Sequence, residues 1–318
     1  MDAAAKAARG RDLVLLATPG DVKEGIEWTA AAAAEGSGEA ARLLAILAAS
    51  GVGMPHDLGV ALRHLQQAAE HGCRPAQAEL AALVGNWRLA REIVAGKALK
   101  EGMPGRLRAA VDLAAWQRLP DGEVFSEAPR IAVVRGFMST QICDWLIRLG
   151  APHLRQAEVF DTTSGDPSEY VGRSNRSAEL TFAHADVVLL FVRSRIAALA
   201  NVAVKDLEPS QVLHYQVGQE FRLHHDFFDV SLPAFAREVA ERGQRALTVL
   251  VYLNDGYEGG HTAFPHLGRS FKGREGDALV FWNVGDDGAP DWRTLHVGTA
   301  PTRGEKWLFS QWIRIRAP

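Results

Sequence analysis

The hydrophobic pattern of this 318-residue chain changes its period once, between residues 118 and 130. Up to about residue 117 the sequence is rich in Ala, Leu and Glu, nearly free of β-branched runs, and helical in the spacing of its apolar residues. Leu119-Pro120-Asp121-Gly122 and Ala128-Pro129 then break that period. After them come short apolar runs bounded by Gly, Pro, Asn and Asp, the pattern of strands and turns. The reading is α+β: a helical region over 1–117, a linker over 118–130, and a β-rich domain over 131–318.

The helical region repeats. Ala34-Glu35-Gly36 through Ala40 and Leu44 recurs thirty-six residues on as Glu70-His71-Gly72 through Ala76 and Leu80, with Leu47 matched by Leu83. A period of that size marks helix pairs in which small residues permit close approach and glycines end the helices. Gly51-Val52-Gly53-Met54-Pro55-His56-Asp57, with Ala61 and Ala68-Ala69-Glu70-His71-Gly72, resembles a Sel1-like repeat. Arrays of this type bind proteins or peptides on a concave face; the other reading is a helical cap that stabilises the second domain.

An apolar fraction of 47% is ample for packed cores, and a net charge of −3 argues against a nucleic-acid partner held by bulk electrostatics. Two cysteines, Cys73 and Cys143, cannot build a disulfide framework and fit a reducing compartment. Leu13-Val14-Leu15-Leu16-Ala17 is too short for a membrane span or a signal sequence core, so the expectation is a cytoplasmic protein with no membrane partner.

In the second domain, Ile131-Ala132-Val133-Val134 reads as a strand, Ser139 as the cap of a helix through Leu149, and residues 183–200 as an amphipathic helix. Phe227 to Gly243 reads as a mobile lid or substrate loop. Ala246 to Leu253 is a buried β run ending in the turn Asn254-Asp255-Gly256. Ahead of it lies Tyr215-Gln216-Val217-Gly218-Gln219-Glu220-Phe221-Arg222-Leu223-His224-His225-Asp226. If residues 220–226 are extended, His224 and Asp226 project together while His225 points away. A third ligand from a distant strand, best supplied by His296, completes a 2-His-1-carboxylate triad. Such a triad leaves coordination positions open on ferrous iron for a chelating cosubstrate and dioxygen.

These motifs, with Tyr252-Leu253-Asn254-Asp255, Gly259-Gly260-His261-Thr262-Ala263-Phe264-Pro265, Gly276-Asp277-Ala278-Leu279-Val280-Phe281, His296-Val297-Gly298 and Gly304-Glu305-Lys306-Trp307, stand in the order of a known pattern. The chain resembles the prolyl 4-hydroxylase branch of the Fe(II)/2-oxoglutarate dioxygenases over roughly residues 128–318. The resemblance implies a double-stranded β-helix, the cupin-like jelly roll, with flanking helices. It implies Fe(II) held by His224, Asp226 and His296, with 2-oxoglutarate and O2 as cosubstrates and ascorbate as reductant. Lys306 takes the position that binds the remote carboxylate of 2-oxoglutarate, and Tyr215 and Thr262 resemble residues that hydrogen-bond the same molecule. Even spacing on a strand places Trp312 on the face of Lys306, hence in the same pocket. In the family a loop carrying an Arg-Thr/Ser-Ser motif lies near the polypeptide substrate; here residues 161–177 form that loop and Arg173 and Ser174 match it. The implied reaction hydroxylates a C–H bond of a protein or peptide while 2-oxoglutarate becomes succinate and carbon dioxide. The chain departs from the pattern at Val297-Gly298-Thr299-Ala300-Pro301-Thr302 and in the substrate loop, which bears on the prolyl substrate and leaves the iron and cosubstrate roles intact.

Other groups have plainer readings. His225 has the wrong strand parity, and His214, His261 and His266 flank strands or turns where they pack locally. Asp229 has the wrong spacing from His224 to replace Asp226, and Arg303, the rival of Lys306, precedes a turn glycine. Two alternatives remain beside the dioxygenase. One is an inactive jelly roll that serves with the repeats as a binding module; the other is a zinc hydrolase using the same ligands.

Overall fold

The computed structural model describes residues 1–16, 18–157 and 173–316, and within 158–172 only the backbone of Val159–Phe160 and Pro167–Ser168. These residues form two compact units, Met1–Arg118 with Phe182–Lys205, and Leu119–Thr181 with Asp206–Pro318. Helices and strands are numbered α1–α11 and β1–β16 along the chain.

The first unit is helical. Its thirty-six-residue spacing falls on two helix pairs, α2 (Pro19–Ala34) with α3 (Gly38–Ser50) and α4 (Leu58–Glu70) with α5 (Arg74–Leu83). Each pair turns on a left-handed glycine, Gly36 at φ 93° and Gly72 at φ 80°, positions where a side chain would be strained. The closing bonds also match. Gly36 and Gly72 donate to Ala33 and Ala69, and Ser37 and Cys73 donate to Ala32 and Ala68. The corresponding pairs Ala40 and Ala76, Leu44 and Leu80, and Leu47 and Leu83 are all buried.

α10 (Val187–Ala200) belongs to this helical unit although its sequence lies between strands of the other. Val187 to Val192 are six consecutive buried residues. The segment is therefore covered all round, where the sequence suggested one apolar face. Its first N–H groups are met by carboxylates: Leu189 N donates to Asp186 at 2.7 Å and Val187 N to Glu79 at 3.0 Å. Glu79, itself buried in α5, also accepts from Arg42 Nε of α3 at 2.6 Å.

The second unit is built on two antiparallel sheets. The larger has the spatial order β1 (Gly122–Ser126), β2 (Ile131–Val134), β13 (Ala278–Trp282), β9 (Gln244–Tyr252), β16 (Lys306–Ile315), β7 (Ser210–Tyr215), β6 (Arg176–Leu180) and β3 (Arg155–Gln156). The smaller runs β12 (Arg269–Phe271), β11 (Thr262–Phe264), β14 (His296–Gly298), β8 (Phe221–His224). Alternation decides what lies between them. Ile131 and Val133, Leu213 and Tyr215, Leu250 and Tyr252, and Leu279 and Phe281 leave the large sheet two residues apart and meet Phe221, Phe264 and Phe271 of the small one. Each such side chain taken out of water stabilises the fold by about 1.5–3 kcal/mol. This is the double-stranded β-helix that the pattern implied.

The outer face of the large sheet is packed by α9 (Thr140–Gly150), whose N-cap Ser139 accepts from Ile142 N. Gly150 permits the approach, since a Cβ there would lie 2.6 Å from the Cβ of Val212 in β7. Two segments differ from the sequence reading. Residues 118–130 contain β1, which pairs with β2 and sends Phe125 against Phe264 and Phe271, so the segment read as linker is an edge strand. Phe227 to Gly243, read as a lid, contains α11 (Pro233–Arg242). Among the described residues no helix is long and apolar enough to cross a membrane.

Candidate active site

β8 and β14 pair so that His224 and His296 stand directly opposite each other. β8 ends at His224, and Asp226 sits in a bend two residues on, so the expected extended backbone does not reach it. The bend nevertheless turns the Asp226 carboxylate back between the two rings. Its Oδ1 lies 3.6 Å from His224 Nε2 and its Oδ2 3.8 Å from His296 Nε2. One ligand atom from each of the three residues falls within 4.8 Å of the others, the only such cluster of three among the described residues.

The tautomers follow from geometry. His224 Nδ1 lies 2.7 Å from Arg222 O, and His296 Nδ1 2.9 Å from Thr294 O. A carbonyl only accepts, so both Nδ1 atoms carry a proton, and Nε2 is the atom that each ring turns towards Asp226. Burial, with His296 beside it, pushes the His224 imidazole down to about 3, so the ring is neutral. Burial favours the protonated form of the Asp226 carboxyl, but His296, His224 and the Thr248 hydroxyl outweigh it and hold the group below its ordinary range. Two imidazole nitrogens and one carboxylate suit a divalent cation.

A cleft open to solvent at its mouth extends from this cluster. Tyr215, Thr262, Lys306 and Trp312 all line it, as the sequence places them. Lys306, Leu308, Ser310 and Trp312 are alternate residues of β16, which is why one strand supplies all four. Lys306 is fully buried and its Nζ has no hydrogen-bond partner among the described residues. Its nearest aromatic neighbours are the ring of Tyr215, its cross-strand partner, with the centroid 5.1 Å from Nζ, and that of Tyr252 at 5.8 Å. Desolvation pushes the ammonium down to about 7. A buried cation in such a place calls for an anion.

Thr262 bonds Tyr252 hydroxyl to hydroxyl at 2.9 Å. Gly298 lies across from Thr262 in the ladder, and a Cβ there would come within 3.4 Å of the Tyr215 hydroxyl. Arg173 is buried, its guanidinium 4.5 Å from the ring centroid of Phe221, and it lines the cleft. Ser174 is exposed and turned away, exchanging bonds with the Glu220 backbone at 2.9 and 3.2 Å, which fasten this segment to the start of β8. Of the expected substrate loop, residues 161–166 and 169–172 lie outside the described residues. His225 points away as its parity requires, with Nε2 3.1 Å from Trp292 O. His214 meets Glu305 at 3.0 Å instead of the cluster. Thr248 and Asn283 were not singled out in the sequence, and Tyr252 entered only as part of the motif Tyr252-Leu253-Asn254-Asp255, with no role assigned. A hydroxyl at Thr248 inside the otherwise apolar run Ala246–Leu253 was the one available signal.

The sequence model of the 2OG-Fe(II) oxygenase superfamily matches residues 210–314. Prolyl 4-hydroxylase 1 of Arabidopsis thaliana is 34% identical over 209 residues, covering 61% of this chain and 72% of the relative. The chain belongs to the prolyl 4-hydroxylase family of 2-oxoglutarate/Fe(II) oxygenases. Prolyl 4-hydroxylase 5 of the same plant is 33% identical over 212 residues and covered to 71% of its length. The chain is also similar to the viral collagen prolyl hydroxylase vCPH from Paramecium bursaria Chlorella virus-1, whose structure was solved with 2OG. That likeness has 25% identity, 58% of this chain, 95% of that one and a TM-score of 0.45. The family uses Fe(II), 2-oxoglutarate and O2, and the residues present fit them. The triad offers a suitable donor set, and the unpartnered Lys306 ammonium awaits a carboxylate.

Proposed function

We propose that this protein is a prolyl 4-hydroxylase acting on a polypeptide. The observation that carries the reading is the placement of Lys306, buried and unpartnered, in the same cleft as His224, Asp226 and His296. A zinc hydrolase would need the three ligands but would have no use for a buried ammonium beside Tyr215 and Thr262. A binding module would need neither. His224 and His296 would hold the metal through Nε2 and Asp226 through a carboxylate oxygen. Iron, when bound, supplies the oxygen-activating chemistry. The chain's own groups bind and orient. Lys306 neutralises the remote carboxylate of 2-oxoglutarate, Tyr215 and Thr262 hydrogen-bond it, and Leu213, Leu250 and Leu308 keep water off its methylene chain. Trp312 and Arg173 border the part of the cleft left for the substrate. Overall, 2-oxoglutarate, O2 and a prolyl C–H bond become succinate, carbon dioxide and hydroxyproline, one oxygen atom going to each of succinate and the hydroxyl; ascorbate would serve only to keep the metal ferrous.

The two helix pairs support a Sel1-like repeat region that recruits the polypeptide substrate, and the buried, unpaired Cys73 and Cys143 support a cytoplasmic setting. Anaerobic titration of the metal-free protein with Fe(II) and 2-oxoglutarate tests the centre. A visible charge-transfer band is expected, absent in His224→Ala and weakened in Lys306→Ala. Hydroxyproline in a proline-containing peptide, read by a mass increase, tests the substrate. No band from folded protein would favour the binding-module reading.

A further inference from the structure

The two ligands that come from distant parts of the chain, Asp226 and His296, are joined by one buried chain of hydrogen bonds. The Thr248 hydroxyl lies 2.7 Å from Asp226 Oδ2 and donates to it. Having given up its proton, Thr248 Oγ1 accepts from Asn283 Nδ2 at 2.9 Å. That requirement fixes which way the Asn283 amide points. The Asn283 backbone continues the path: its N–H donates to Ala246 O, two residues before Thr248, and its carbonyl accepts from Asp291 N at 2.9 Å. Asp291 O accepts from the Thr294 hydroxyl at 2.7 Å, and Thr294 O accepts the Nδ1 proton of His296. Thr248 and Asn283 are fully buried, so water does not reach the bonds that join Asp226, Thr248 and the Asn283 side chain.

We propose that Thr248 and Asn283 form a positioning relay for the metal centre. Thr248 engages Asp226 Oδ2 and leaves Oδ1, the oxygen nearer His224 Nε2, to the cation. Asn283 holds Thr248 in the donating orientation and ties the 283–296 segment, with His296 at its end, to the same strand. The relay thus fixes the spacing of a carboxylate and an imidazole that no strand pairing connects directly: β14 is paired with β8, and Asp226 lies beyond the end of β8. Neither residue touches the cation, so both act through Asp226 and His296. The proposal rests on reading His224, Asp226 and His296 as the metal centre.

The test is Co(II) binding to the metal-free full-length protein, followed by the visible d–d absorption of the bound ion, with near-ultraviolet circular dichroism as the check on folding. Thr248→Val, which keeps the shape and removes the donor, is expected to weaken Co(II) binding by about 10–100-fold, the usual cost of losing an outer partner of a ligand. Thr248→Ser keeps the hydroxyl and is expected to stay within about threefold of the parent while Asn283→Ala matches the valine variant, and combining the two losses adds little because they act in one chain. The serine variant, with a smaller change of packing, carries the comparison if the valine variant does not fold. Folded Thr248→Val and Asn283→Ala proteins that bind Co(II) as tightly as the parent, or a serine variant as weak as the valine one, would overturn the relay. A parent that binds no Co(II) would overturn the metal centre itself, an outcome distinct from equal binding by all variants.

Discussion

His224 and His296 repeat one another's hydrogen-bonding pattern across the β8–β14 ladder. Their ring centroids are 4.1 Å apart, and each donates its Nδ1 proton to the carbonyl two residues earlier in the chain, Arg222 O and Thr294 O. Because both acceptors are backbone atoms, no side-chain substitution removes them, and the tautomer that exposes Nε2 is set by the fold. Replacing either ring therefore removes a ligand without a substitute nearby, since His225 faces Trp292. His224→Ala and His296→Ala should each weaken Fe(II) binding by more than the ~100-fold that outer partners account for. Anaerobic titration checks this; tight binding by either variant would place the metal elsewhere.

Lys306 gives the metal-free protein a pH dependence of known sign. Its folded-state pKa is lowered to about 7 from the ordinary 10.5. Below pH 7 both states carry the charge and the burial penalty is complete. Between 7 and 10.5 the unfolded chain holds more protons, so stability rises with pH through that window. The full difference approaches 5 kcal/mol, one pKa unit being worth about 1.4 kcal/mol. Denaturant unfolding of the parent and Lys306→Met should therefore converge as pH rises towards 10.5, with the methionine protein the more stable at pH 6. Added 2-oxoglutarate should raise the melting temperature of the parent alone. A flat difference between the two proteins would mean that the ammonium is solvated.

Tyr252 supports the cosubstrate end of the cleft through Thr262, whose hydroxyl it meets at 2.9 Å. Tyr252→Phe leaves that hydroxyl free to rotate away from 2-oxoglutarate. One hydrogen bond of about 1 kcal/mol corresponds to a rise of roughly fivefold in KM for 2-oxoglutarate. Because the loss falls on ground-state binding, kcat should hold. Steady-state kinetics with 2-oxoglutarate as the varied substrate separates the two, and a fall in kcat alone would assign Tyr252 a different part.

The sequence made the cluster legible through spacing: His-x-Asp, a distant His-x-Gly, and Lys306 ten residues after His296. Strand parity paired His224 with Asp226, although the backbone between them bends and only the side chains converge. Even spacing along β16 put Trp312 beside Lys306 in the cleft. The relay was not legible, because Thr248 sits within the apolar stretch of β9 and Asn283 in the bend just past β13, and nothing in one dimension shows which face a hydroxyl takes or what it meets. α10 was misjudged for a related reason. An apolar run such as Val187 to Val192 does not say how many of its sides are covered, and here all of them are. Ser174 followed the family motif, yet its bonds to Glu220 turn it outward, a matter of local backbone geometry.

The burial of α10 decides how the helical region can be probed. α8 (Leu113–Gln117) packs on it through Trp116, whose ring meets Phe191 at 5.3 Å and whose carbonyl accepts from Arg195 at 2.6 Å. Glu79 of α5 caps its first turn while holding Arg42. Deleting Met1–Arg118 removes all of these partners and leaves the apolar residues of α10 uncovered in the middle of the remaining chain. The deletion should aggregate, which makes it uninformative about substrate recruitment. Glu79→Ala isolates the same connection with one change. It strands the partly exposed Arg42 guanidinium and the Val187 N–H, a loss we place near 3 kcal/mol, the low end for breaking a buried ion pair. Denaturant unfolding should show that loss, with 2-oxoglutarate turnover per folded molecule unchanged. If Glu79→Ala were as stable as the parent, α10 would be held by its apolar packing and its remaining bonds, without need of the Glu79 carboxylate. Recruitment is better tested by charge reversal at exposed positions of the helical unit such as Arg88 and Lys97, which leave α10 covered. A fall in turnover of a full-length protein substrate, with turnover of a short peptide unchanged, would then assign the helical region a part in binding.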